Sequence, residues 1–151
     1  MAFNPNEHLI ELEQSKKNKL TGRWETVKVR YLPVAARILW MRTEHPDWTI
    51  RTQALLEPAT ALQEGVAIFK AAIVDEKDRV LATATKMESK ENFTDFIEKA
   101  ETGAIGRALA LVGYGTQFAP ELSEEERVVD APLPKKESLE EFTNQLRKKE
   151  F

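Results

Sequence analysis

The chain has 151 residues, is 42% hydrophobic and 31% charged, and carries a net charge of −3. That suits one soluble globular domain with a real core and one or two tails. There is no cysteine, which excludes a disulfide framework and thiolate chemistry. No apolar run approaches the ~20 residues that span a bilayer, and MAFNPNEHLIELEQ lacks the basic-then-apolar order of a signal peptide. The expectation is a cytoplasmic protein with no membrane contact.

The charge is unevenly spread. Residues 16–51 hold nine bases (Lys16, Lys17, Lys19, Arg23, Lys28, Arg30, Arg37, Arg42, Arg51) and three acids. The ends are acidic: three acids and no base in residues 1–15, and nine acids against six bases from Ala108 onward. A basic segment between acidic ends is either a solvated surface or the footprint of a polyanion, with tails that compete for it.

Residues 1–22 read as a flexible lead-in. Leu9, Ile10 and Leu12 make one short amphipathic turn, and KKNKLTG is an exposed loop. In RWETVKVRYLP, Trp24, Thr26, Lys28 and Arg30 alternate with Glu25, Val27, Val29 and Tyr31, which predicts a strand or extended arm. Pro33 suits a helix start, and 34–44 reads as a helix ended by His45-Pro46. Residues 48–57 alternate as a strand, with Trp48, Ile50, Thr52 and Ala54 on one side. Residues 58–65 read as a loop. Residues 66–74 form a central strand, apolar on both parities, and 79–87 its antiparallel partner across the Asp75–Asp78 turn. A helix capped by Thr94 or Asp95 runs to about residue 112, where Gly113 stops it.

The domain therefore spans 23–118: an antiparallel three-stranded sheet, plus the arm strand, with a helix before and a helix after it on one face. Residues 119–151 are an acidic, proline-punctuated tail. Leu139, Phe142 and Leu146 stand there at helical spacing and offer a contact for a protein partner.

No metal-ligand spacing joins His8 and His45, and no GxSxG, P-loop or HExxH motif occurs, so neither an enzyme, a metal nor a cofactor is expected. Aromatic rings among cations fit nucleic acid better. Trp24 and Tyr31 are the candidates for base stacking. Arg23, Lys28, Arg30, Arg37 and Arg51 are candidates for phosphates, as is Lys70, the one charge in an apolar strand. In the last helix Ile97, Ala100, Ala104, Ala108 and Leu111 form a stripe for the sheet. Gly103, Gly106 and Ala110 form a smooth stripe elsewhere, with Lys99 among them and Arg107 at its border. Gly inside a helix costs about 0.5–1 kcal/mol against Ala, which predicts close approach by a second subunit or a phosphate backbone.

Two stretches, TGAIGRALALVG and ARILWMRTEHPDW, together with this element order, resemble the annealing domain of the Rad fifty-two family of single-strand annealing proteins, phage recombination proteins included. The resemblance covers about residues 23–115. It implies a homo-oligomeric ring or filament that binds single-stranded DNA in a basic groove and pairs it with a complement without nucleotide hydrolysis, in recombination or repair in a bacterium or infected host cell. Arg37 would be the DNA-contacting Arg of the first helix, and Arg107 the second member of a basic pair. Gly106 stands in place of the first member, and Ala110 in place of a later base. Lys70, Lys77, Arg79 and Lys86 would lie on the basic hairpin. The alternatives are a cover protein for single-stranded DNA that does not anneal, and an oligomeric interaction module that binds no DNA.

Overall fold

The computed structural model describes residues 2–116, so the tail with Leu139, Phe142 and Leu146 lies outside the described residues. The elements are a 3-10 turn (Pro5–His8), β1 (Ile10–Lys17), β2 (Trp24–Tyr31), α1 (Val34–Glu44), β3 (Thr49–Ala54), α2 (Pro58–Glu64), β4 (Val66–Val74), β5 (Val80–Ser89) and α3 (Phe96–Leu111). The fold is α+β, with an antiparallel sheet in the order β3-β4-β5 and a separate two-stranded sheet, β1-β2.

The core lies between the three-stranded sheet and α3. Ala67, Phe69, Ala71 and Ile73 alternate on the inner face of β4, and Ala100, Ala104 and Ala108 come down from α3 onto them. Alanine against alanine lets helix and sheet approach closely, and Phe93, Phe96, Leu109 and Met41 fill the margins. The other parity of β4, including Lys70, faces the open side of the sheet. There the cross-strand pairs put Ile68 beside Met87, and Lys70 between Gln53 and Thr85.

Three local expectations change. Residues 10–17 are a strand rather than an amphipathic turn. Ile10 and Leu12 alternate with Glu11 and Glu13, and the whole run pairs with 24–31. Asn18 makes the turn between them, its Oδ1 accepting from the backbone of Leu20 and Thr21. Residues 58–64 are a helix rather than a loop: Pro58 sits at its start and Gly65 ends it at φ +70°. Leu111 of the predicted core stripe is 55% exposed, because α3 turns its Leu109 and Ala110 inward instead.

The turn between β4 and β5 is held by Asp75. Its carboxylate accepts from the backbone N–H of Lys77 and of Arg79, each at 2.9 Å, and from Arg79 Nε at 2.7 Å. Burial opposes the charge, but these donors outweigh it and hold the carboxyl below its ordinary value of 3.8. A depressed carboxyl stabilises the fold above that ordinary value, and the contribution fades as pH falls through the lower folded value. Thermal midpoints should therefore drop below about pH 4, and Asp75→Ala should show a smaller part of that drop, measured by circular dichroism.

Aromatic rings form a chain along one side. Phe3 stacks on His8 at 4.7 Å and on Trp40 at 5.6 Å; Trp40 meets Tyr114 at 5.2 Å, Tyr114 meets Trp48 at 6.5 Å, and Trp48 stacks on His45 at 3.7 Å. Tyr114 donates to Glu44 at 2.7 Å. Both histidines thus have packing partners at the ends of one chain, and Trp40 and Trp48 border the core.

Candidate nucleic-acid interface

The β1-β2 hairpin has two unlike faces because side chains alternate across a strand. Ile10, Leu12, Val27, Val29 and Tyr31 share one face. On the other, Glu11 stands opposite Arg30, Glu13 opposite Lys28, Ser15 opposite Thr26, and Lys17 opposite Trp24. Towards the root the charges on this second face pair off, acid against base. Towards the tip bases outnumber acids: residues 16–25 hold four bases and one acid. Trp24 is 51% exposed there and Leu20 is 97% exposed. Lys16, Lys17, Asn18, Lys19, Glu25 and Val27 line an open cleft at the same end. Asn18 Nδ2 donates to the one acid, Glu25, at 3.1 Å. The tip therefore combines exposed cations, an indole face and an apolar residue.

The candidate residues distribute as follows. Arg23, Trp24, Lys28 and Arg30 are exposed together on the hairpin. Arg51 and Lys70 are exposed on the open sheet face, at diagonal positions of β3 and β4. Arg51 is bound to Asp78 at 2.6 Å, and Arg79 to Asp75. Lys86 is half-buried, 3.4 Å from Glu88. Lys99 lies over the Phe93 ring, 5.6 Å from its centre, and Arg107 is half-buried on α3 with its Nε inside.

Two expectations are corrected by burial. Arg37 is 0% exposed. Its Nε donates to the Leu32 carbonyl at 2.8 Å and its Nη1 to the Gly106 carbonyl at 3.0 Å, with the guanidinium over the Tyr31 ring. A side chain committed in this way fastens the hairpin root to α1 and α3, and it is closed to phosphate. Tyr31, beneath it, is 1% exposed and has no face for a base. The smooth stripe of α3 is likewise turned inward. A Cβ on Gly106 would lie 2.7 Å from Val34 Cγ2, and one on Gly103 would lie 2.7 Å from Lys86 Cγ. Ala110 is buried as well. The close neighbours of these residues are α1 and β5 of the same chain.

The residues missed at the site are Lys16, Lys17, Lys19 and Leu20, which were read as part of a lead-in. The signal was present in the alternation of 10–13 before an Asn-to-Gly turn, facing a second alternating run.

The helical side has the opposite charge. Residues 91–101 carry Glu91, Asp95, Glu98 and Glu101 against Lys99, and residues 55–65 contain two acids and no base. Among the described residues no group of three or more acidic or histidine side chains could hold a metal ion, and no helix is long and apolar enough to cross a membrane.

Residues 38–112 match a protein-family model described as Slr1353 N-terminal dsRNA-binding domain-like. The match is just under half the chain. It begins within α1 and ends just after α3, so it takes in most of the helix–three strands–helix body and leaves out the β1-β2 hairpin. No curated protein and no solved structure matched. The chain is thus similar in its body to a nucleic-acid-binding class of domain, with a further basic hairpin in front.

Proposed function

We propose that this protein binds single-stranded DNA and anneals complementary strands without nucleotide hydrolysis, acting as an oligomer. The observation that carries the reading is the hairpin face on which Trp24, half exposed, lies in line with Lys28 and Arg30 and opposite Lys17. Residues two apart on a strand are roughly 7 Å apart, so the face sets Lys28 and Arg30, opposite Glu13 and Glu11, in line with a ring that Lys17 faces. Cations follow phosphates in any nucleic acid; an exposed ring adds stacking that only unpaired bases can accept, for roughly 1–3 kcal/mol per base. The resemblance of ARILWMRTEHPDW and TGAIGRALALVG to annealing proteins supports the step from binding to annealing. The family match supports nucleic acid in general, and its description favours a second reading, double-stranded RNA. Against that reading, the start of α3 and the 55–65 connection carry acids, which repel phosphates.

The test is fluorescence anisotropy with oligo-dT, an RNA of equal length and an RNA duplex, at several salt concentrations. Single strands should bind more tightly than the duplex. Trp24→Ala should weaken oligo-dT binding about tenfold, and Lys28→Ala with Arg30→Ala should flatten the salt dependence, with circular dichroism unchanged. Wild-type affinity in the triple variant removes the hairpin from the site, and a preference for the duplex selects the second reading. Mixing complementary oligonucleotides then separates annealing from simple cover.

A further inference from the structure

We infer that β5 pairs antiparallel with β5 of a second copy of this chain, about a two-fold axis at Ala84, to make one six-stranded sheet. The pairing gives the oligomer proposed above its contact and rests on that reading for the oligomer's role.

The backbone gives the first reason. The order β3-β4-β5 leaves two outer edges, and among the described residues no strand pairs with either. An open edge presents a row of N–H and C=O groups, which folded proteins blunt with short strands, charges or proline. β3 is blunted: it has six residues, and Arg51 stands in it, bound to Asp78. β5 has ten residues and no proline. Its one irregularity lies at its start, where the pairing with β4 skips Leu81. Its two charges, Lys86 and Glu88, are bound to each other at 3.4 Å and stand opposite Phe69 and Ala67 of the core face.

The side chains give the second reason, and they specify the partner. A two-fold seam needs a strand that complements its own reverse. With Ala84 on the axis, Thr83 meets Thr85 of the second copy, Ala82 meets Lys86, and Leu81 meets Met87, each pair occurring twice. Leu81 is 39% exposed and Met87 60% exposed, so the seam covers apolar surface that one copy leaves in water. Thr–Thr and apolar pairs are favourable cross-strand neighbours, and no like charges stand opposite each other. Moving the axis by one residue sets Leu81 opposite Thr85 or Ser89, and Met87 opposite Arg79 or Thr83, which loses the apolar pairs. About six to eight backbone hydrogen bonds close the seam over 81–87. A two-fold axis perpendicular to the sheet keeps α3 of both copies on one side and the open face continuous on the other.

The experiment uses the full chain in two arms. The chain has no cysteine, so engineered thiols report the register. T83C and T85C, as two separate variants, are mixed and oxidised with diamide. A covalent dimer is expected in the mixture and not in either variant alone, because opposite residues lie about 5 Å apart and diagonal ones about 7–8 Å, beyond the reach of a disulfide. The second arm is sedimentation across the micromolar range, where a seam of two strands is expected to dissociate. Thr83 and Thr85 are both exposed, so charges there spare the fold. T83E with T85E sets acid against acid twice and should weaken the dimer about tenfold, whereas T83K with T85E sets base against acid twice and should restore it, with circular dichroism unchanged. A monomer at every concentration overturns the pairing. So does a covalent dimer that forms as readily in one variant alone, or a dimer indifferent to both charge variants. A dimer that passes both arms and binds no oligo-dT leaves the pairing in place and overturns the function proposed above.

Discussion

Arg37→Ala is expected to lower the unfolding free energy by about 3–5 kcal/mol, the scale seen when one partner of a buried charged network is removed. Arg37 is wholly buried, and its guanidinium donates to the carbonyls of Leu32 and Gly106. Its loss leaves both acceptors unsatisfied in the interior, each at the cost of a stranded polar group. It also opens a hole beneath Tyr31 and Gly115, which pack on its side chain. Urea unfolding followed by circular dichroism measures the change. Arg37→Lys should recover little, because an ammonium cannot reproduce the planar fork that reaches both carbonyls. A stability within 1 kcal/mol of wild type would return Arg37 to the list of groups available to a phosphate.

Gly106→Ala is expected to destabilise by about 1–3 kcal/mol, the usual cost of overpacking, although Ala is the better helix former by about 1 kcal/mol. The added methyl would lie 2.7 Å from Val34 Cγ2 and 3.4 Å from Arg37 Nη1. Val34 is buried, β-branched and in the first turn of α1, so it has little rotamer freedom with which to withdraw. Val34→Ala should relieve the clash, so the double variant should be more stable than the sum of the single effects predicts, by about 1 kcal/mol. Gly103→Ala is the control. It meets Lys86 Cγ at the same 2.7 Å, but Lys86 is a half-buried, unbranched chain that can swing aside. Its stability should change little, the helix propensity gain offsetting the displacement.

The body of the fold was legible because its signals are long and periodic. Helix 34–44 and strand 66–74 fall on their expected residues, where Pro33, His45-Pro46 and an apolar run bounded by Gly65 and Asp75 mark the ends. The hairpin strand 10–17 was harder. Its apolar positions are few, and its alternation shows as a strand only when 10–17 is set against its partner run 24–31 across the Asn18 turn. Exposure was legible at some candidate residues and not at others for a related reason. Trp24, Lys28 and Arg30 stand on one strand, where period 2 alone decides the face. Arg37, Gly103, Gly106 and Ala110 lie on helices whose faces meet each other and β5, and α3 is buried on more than one side. Helical spacing groups residues into stripes, but it cannot say which stripe meets a neighbouring element of the same chain. The preference of small residues for close approach was sound, and its partners are Val34 and Lys86.

The aromatic chain divides the protein's ultraviolet emission into two channels. Of the three tryptophans, Trp40 and Trp48 both touch Tyr114, and Trp48 lies flat on His45 at 3.7 Å. Energy absorbed by Tyr114 passes to them, so the emission of this pair depends on the packing that holds the three rings together. Trp24 stands apart at the hairpin tip, in water, where its emission lies to the red and an added quencher such as acrylamide reaches it first. One cuvette thus reports the integrity of the fold at shorter wavelength and the occupancy of the hairpin at longer wavelength, with no label attached.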